Sequence, residues 1–205
     1  PLALQSMLFP IANTIVQAGV NTMGTSQIAA WGICDKLNMI IWLMSDSMGP
    51  VLTTFTAQNL GAKNHHRIKA GVAAGTVMSV GVVALISVVL FVGAGFLTPW
   101  FVSAKDASVL APLVSTYTRM MAPFFIFYAI AEALSGACCG TGDTLKPMMT
   151  TLAFICMLRV LGILFVLPSY ESMECIVGIY IASWIAAGVA FLVLWGWDLR
   201  KVLKK

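Results

Sequence analysis

Charge is what this sequence has least of. Lys and Arg number 12 and Asp and Glu 8, together 10% of the chain, where a soluble domain carries roughly 25%. Positions 70–104 hold no charged side chain at all, although ~20 apolar residues suffice to cross a bilayer core of ~30 Å. A large soluble core hides one such helix, but not five or six. Other scarcities exclude further classes. The net charge of +4 is not gathered on a basic amphipathic surface, which argues against nucleic acid as a partner. The two histidines, His65 and His66, form an isolated pair beside Arg67, too sparse for a metal centre. The five cysteines (34, 138, 139, 156 and 175) show neither C-x-x-C nor zinc spacing and read as small buried hydrophobes without a disulfide framework. Gly136, Gly140 and Gly142 are not followed by the Gly-Lys-Ser/Thr of a phosphate loop. They mark a helix end, with Asp143 or Thr144 capping the next helix. No Ser/His/Asp or Cys/His set falls at a common depth, so the reading is not an enzyme and needs no cofactor. No signal-peptide pattern opens the chain. Its start at Pro1, directly in apolar sequence, suggests a fragment of a longer polypeptide.

What remains is hydrophobic: 60% of residues, with a mean hydropathy of +0.92. Six segments, about 1–20, 26–57, 70–97, 110–138, 145–167 and 175–197, are long enough to be spanning helices and too long for membrane strands. Short linkers carrying Gly, Asn or Pro separate them. The expected fold is an all-α integral membrane protein, a bundle of six transmembrane helices in a lipid bilayer. Lys63, Arg67, Lys69, Lys146, Arg200, Lys201, Lys204 and Lys205 all fall on one side of such a bundle, and only Lys105 on the other. The excess of positive charge on cytoplasmic loops then places both ends of the chain in the cytoplasm.

The few polar groups inside these spans are the functional candidates, because lipid solvates neither amides nor ions. In the first segment Gln5, Asn13, Gln17 and Asn21 are separated by multiples of four and lie along one helical ridge. They either glue helices together or wall a polar cavity. Pro10 should kink the same segment. In the second, Asp35 and Asp46 are eleven residues apart, close to three turns, with Asn38, Trp42 and Thr53 near their stripe. Arg119 and Glu132 lie in the fourth segment and Arg159 in the fifth. Asp35 is expected to neutralise Arg119 or Arg159. Asp46 and Glu132 have no evident basic partner, so they either carry a proton or cation or sit at the wet cytoplasmic rim.

Several stretches resemble the C-terminal half of a multidrug and toxic compound extrusion (MATE) transporter. They are Pro1-Leu2-Ala3-Leu4-Gln5; Val16-Gln17 with Asn21 through Gly24 and Ile28-Ala29-Ala30; and Thr53 through Ala62, which contains Ala57-Gln58-Asn59-Leu60-Gly61-Ala62. Arg67-Ile68-Lys69 follows, then Gly140-Thr141-Gly142-Asp143-Thr144 with Pro147-Met148, and Arg159. The resemblance covers nearly the whole chain, 1–205, in order, and the Ala-Gln-Asn-x-Gly-Ala and Gly-x-Gly-Asp-Thr stretches are specific in combination. It implies one lobe of a twelve-helix, plasma-membrane antiporter, with a missing N-terminal lobe as its intramolecular partner. Such a protein exports cationic amphipathic drugs in exchange for H+ or Na+ by alternating access. In one branch acidic residues stand in the helices matching segments one and four. Segment one here has amides instead, and segment four only Glu132. Two alternatives stay open: a lipid-linked oligosaccharide flippase, with Lys36, Arg119 and Arg159 as its basic candidates, and a non-transporting membrane scaffold with a dry interior and every charge paired.

Overall fold

A computed structural model describes the backbone of residues 2–101 and 104–202, and side chains of 7–101 and 106–201. All of its regular elements are helical: α1 (Leu2–Asn21), α2 (Thr25–Gly61), α3 (His65–Leu97), α4 (Ala104–Met121), α5 (Phe125–Gly140), α6 (Leu145–Tyr170) and α7 (Met173–Val202). Among the described residues five stretches are long and apolar enough to cross a membrane, α4 and α5 counting together as one. The twenty residues of α1 reach ~30 Å at 1.5 Å per residue.

Turn chemistry explains the breaks. Gly24 and Gly142 adopt φ of +94° and +92°, a region nearly closed to other residues, and each ends a helix-to-helix turn. Asp143 Oδ1 accepts from the backbone N–H of Lys146 at 3.3 Å and so caps α6. The fourth expected span, 110–138, is not one rod. A 3-10 turn at Ala122–Phe124 divides it, because Pro123 has no N–H to give the Arg119 carbonyl four residues back. Pro50 likewise cannot donate to the Asp46 carbonyl, although α2 continues through it. Helix α6 carries two wide π stretches, Leu152–Met157 and Gly162–Val166.

Helix α5 is the hub, packing on α2, α3 and α7, while α1 lies against α2, α6 and α7. Close approach of α2 and α5 depends on bare backbone: a Cβ on Gly136 would stand 2.1 Å from the Gly49 carbonyl oxygen, and one on Gly140 2.6 Å from that of Thr53. Such small-residue seams let membrane helices pack by van der Waals contact, where no hydrophobic drive exists between them. The buried apolar side chains form two clusters. One includes Val16, Trp31, Ile41, Tyr117, Phe125, Ile176 and Trp184. The other includes Leu52, Ile68, Val72, Leu134, Ile155 and Phe191. Along α2, α6 and α7 the two clusters leave a gap, and the polar residues of the middle of the bundle fill it.

Candidate intramembrane polar site

Asp46 lies near the middle of α2, and Tyr128 early in α5 donates its phenolic hydrogen to Asp46 Oδ1 at 2.6 Å. Glu132 is one turn further along α5 on the same face as Tyr128. Its Oε2 lies 4.0 Å, and its carbonyl oxygen 3.5 Å, from where a Cβ on Gly49 would stand. Gly49 is one turn beyond Asp46 on α2. The missing side chain at 49 therefore makes room for the Glu132 carboxyl, and two acids and a phenol share one α2–α5 face.

Across a small cavity stands Arg159 of α6, only 3% exposed. Its Nε donates to Ser183 Oγ at 3.0 Å, and an Nη donates to Asn13 Oδ1 at 3.5 Å. Ser183 passes its own hydrogen to the Tyr180 carbonyl at 2.7 Å. The guanidinium lies 4.1 Å from the centroid of the Tyr180 ring and 6.0 Å from that of Trp184. These rings belong to an aromatic column: Trp31–Tyr180 at 5.4 Å, Tyr180–Trp184 at 5.8 Å and Trp184–Phe125 at 4.8 Å. A buried cation is thus held by π faces and neutral acceptors rather than by an acid. The cavity, about 110 Å³, is lined by Phe9, Asn13, Trp42, Asp46, Tyr128 and Arg159, with Tyr180 and Trp184 behind. That equals about four water volumes. It is well below the ~300–1,000 Å³ of a drug pocket.

A family model, MatE, matches residues 1–166. The chain belongs to the MatE family. It is 21% identical over 197 residues to the probable multidrug resistance protein YoeA of Bacillus subtilis, covering 96% of this chain and 42% of that one. It is 24% identical over 208 residues to the probable multidrug resistance protein NorM of Aromatoleum aromaticum, covering all of this chain and 44% of the relative. The chain therefore spans less than half the length of these relatives. Its fold is similar to that of a MATE protein crystallised in the straight conformation, with TM-score 0.86 at 13% identity over 98% of this chain and 45% of that one. It is also similar to a MOP superfamily transporter from Pyrococcus furiosus, with TM-score 0.83, 13% identity and the same coverage.

Within this MatE chain the amide ridge divides. Asn13 is half-buried at the cavity and bonded to Arg159. Gln17 and Asn21 are exposed, Gln17 Nε2 donating to Asn21 Oδ1 at 3.0 Å. The Gln5 side chain lies outside the described residues. Trp42 lines the cavity, but Asn38 does not. Asn38 is fully buried and its amide meets Met121 Sδ at 3.8 Å, on the α4 side of α2. The expected pairing of Asp35 is absent: among the described residues no ion pair joins it to Arg119 or Arg159. The reason is rotational. Cys34 faces Val114 and Thr118 on α4, at 3.7 and 3.6 Å. The next residue on each helix turns ~100° away, and Arg119 goes to the α3 side, where its Nε donates to the Phe91 carbonyl at 3.0 Å. Asp46 does have a partner, Tyr128, which the sequence reading did not single out. Arg159, Asp46, Trp42 and Asn13 come together, with Glu132 adjoining. Asp35, Arg119 and Lys36 stand apart. Tyr128, Tyr180, Ser183 and Trp184 are the additions. The i, i+4 spacing of Tyr180 and Trp184, with Ser183 between, was the available signal in the otherwise apolar stretch 175–197.

Proposed function

We propose that this chain is the C-terminal half of a multidrug exporter that moves cationic amphipathic compounds out of the cell across the plasma membrane in exchange for H+ or Na+. Both chain ends lie in the cytoplasm in this reading. The single observation that carries it is the pair of carboxylates, Asp46 and Glu132, brought to one α2–α5 face with the Tyr128 phenol donating to Asp46. Like charges in low dielectric repel strongly, so such a pair favours taking up a proton or a small cation. The 110 Å³ cavity beside it suits that ion and not the drug. The drug then belongs on the exposed face of this lobe, where Gln17 and Asn21 present neutral amides to a second lobe. Ion uptake at Asp46 and Glu132 changes how α2 and α5 sit against that face, and drug and ion exchange as the two lobes rock.

Efflux from cells expressing the full-length parent tests this. Asp46→Asn and Glu132→Gln should each abolish cation-driven efflux, while Asp35→Asn leaves it within about twofold, an amount worth under ~0.5 kcal/mol. Undiminished cation dependence in both of the first two variants would remove the coupling site from this lobe. The flippase alternative draws less support, since its basic candidates do not converge: Arg119 lies against α3, Lys36 is exposed on α2, and Arg159 is enclosed by α1 and α7. The scaffold alternative requires every charge to be paired, and Asp46 and Glu132 have no cationic partner among the described residues.

A further inference from the structure

The outer surface of α3 is a continuous apolar wall. Val82, Leu85, Val88, Val89, Phe91, Val92 and Phe96 are all exposed, and no charge interrupts the helix from Ala70 to Leu97. Beside that wall stands an exposed arginine. Arg119 spends Nε on the Phe91 carbonyl and holds its guanidinium 5.9 Å from the centroid of the Phe91 ring. A guanidinium has five N–H donors. Among the described residues the other four have no hydrogen-bond partner. Phe91 lies six residues, ~9 Å, from the α3 end. Arg119 thus stands level with Phe91 in the half of the bundle where α3 ends and α4 begins, and its long side chain can carry the guanidinium toward a lipid headgroup.

Phe91 also forms one wall of a cleft of about 270 Å³. Ala84, Ser87 and Phe91 of α3 line one side, and Ala122, Pro123 and Ile126 the other. The cleft lies at the Pro123 turn, where α4 gives way to α5. Its lining is apolar except for Ser87, 5% exposed, whose Oγ has no partner among the described residues. An apolar slot opening to hydrocarbon, with a donor-rich cation at its outer end, has the two-part chemistry of a phospholipid: alkyl chain below, phosphodiester above.

We propose that the α3/α4–α5 cleft binds one phospholipid, with an acyl chain in the slot and its phosphate on Arg119. The lipid fills the space left by the proline turn and braces α4 against α3.

Native mass spectrometry of the parent polypeptide in detergent, with added phosphatidylglycerol or with diacylglycerol of the same chains, tests the assignment. The unmodified protein should retain one phosphatidylglycerol and release diacylglycerol. Arg119→Gln should lower phosphatidylglycerol retention about tenfold, the loss of a charge-assisted contact. Arg119→Lys should keep most of it. Ala84→Phe, which fills the slot and leaves the arginine, should also lower it. Equal retention of phosphatidylglycerol by Arg119→Gln and the unmodified protein would overturn the proposal. So would equal retention of diacylglycerol and phosphatidylglycerol, or displacement of the lipid by millimolar inorganic phosphate, which would make this a free-anion site. Arg119→Gln and Ala84→Phe probe head and tail separately, so misfolding of one leaves the other to decide, and full retention of phosphatidylglycerol by Ala84→Phe would also overturn the proposal.

Discussion

The Thr53 hydroxyl reaches the carbonyl oxygens of Gly136 on α5 and Gly49 on its own helix, both at 2.9 Å. One side chain thereby ties the seam between the two helices that carry Asp46, Tyr128 and Glu132. The hydrogen bond forms only because Gly136 and Gly49 allow the backbones to meet. Packing and site chemistry thus share the same few residues.

Gly136→Ala tests that seam. Its new methyl would meet backbone rather than a flexible side chain, so thermal unfolding in detergent should fall by the equivalent of ~3 kcal/mol or more. Gly178→Ala is the control. It has open space at the Cβ position and should be neutral or stabilising by ~0.5–1 kcal/mol. Equal melting temperatures for the two variants would contradict the packing account.

Arg159→Lys keeps the charge but loses the planar stack on Tyr180 and the directed Nε bond to Ser183. Destabilisation of ~2 kcal/mol is expected, the worth of a desolvated cation–π contact. Thermal melts monitored by tryptophan fluorescence measure it, since Trp184 lies beside the guanidinium. A lysine variant as stable as the parent would show that the cage is incidental.

Tyr128→Phe removes the phenolic donor to the Asp46 carboxylate with almost no change in volume. On the proposed function the apparent affinity for the coupling ion should shift by about tenfold, the ~1.4 kcal/mol scale of one hydrogen bond to a charged group. Titration of efflux against Na+ and against pH reads this directly, and an unchanged midpoint in both would argue against the phenol's role.

In the loop before α6, the Lys146 ammonium beside Asp143, together with the cap N–H, holds the Asp143 carboxyl below its ordinary value of 3.8. A lowered folded-state value means the carboxylate stabilises the fold above pH ~4. That contribution fades as pH falls through the lower value. The group is exposed, so the effect stays under ~1 kcal/mol. Melting temperatures of Asp143→Asn and the parent should differ slightly at pH 7 and converge as pH falls below the ordinary carboxylate range.

Long uncharged runs made the helices legible, since nothing but a helix satisfies ~20 backbone groups in lipid. The scarcity of ions made Asp46, Glu132 and Arg159 stand out, and all three lie at or beside the central cavity. Their neighbours were harder to read. Asp46 and Tyr128 are 82 residues apart, and a tyrosine in an apolar span looks like packing until its partner is known. Asp35 misled because helical position was considered without the neighbour each face meets. Cys34 and Thr118 touch, yet the acid and the arginine beside them point to different sides. The Pro123 break was missed because hydropathy runs unbroken through it.

Helix α6 buries Thr151, Ile155, Arg159, Ile163 and Leu167, each four residues after the last. On a regular α-helix every such step slips ~40° around the axis. The five would then wind well off a common line, but the two wide stretches unwind that slip and keep the row straight. The azimuth of everything beyond Arg159 is therefore set by residue count rather than by side-chain identity. Excising one residue between 164 and 166 would leave Arg159 and Leu167 seven residues apart, ~700° or nearly two full turns of a regular α-helix, so the second wide stretch should close and Leu167 should keep its buried face. The same cut placed in a regular stretch such as 158–161 would instead turn Ile163 and Leu167 by ~100°, so the wide stretches are the places where this helix tolerates a change of length.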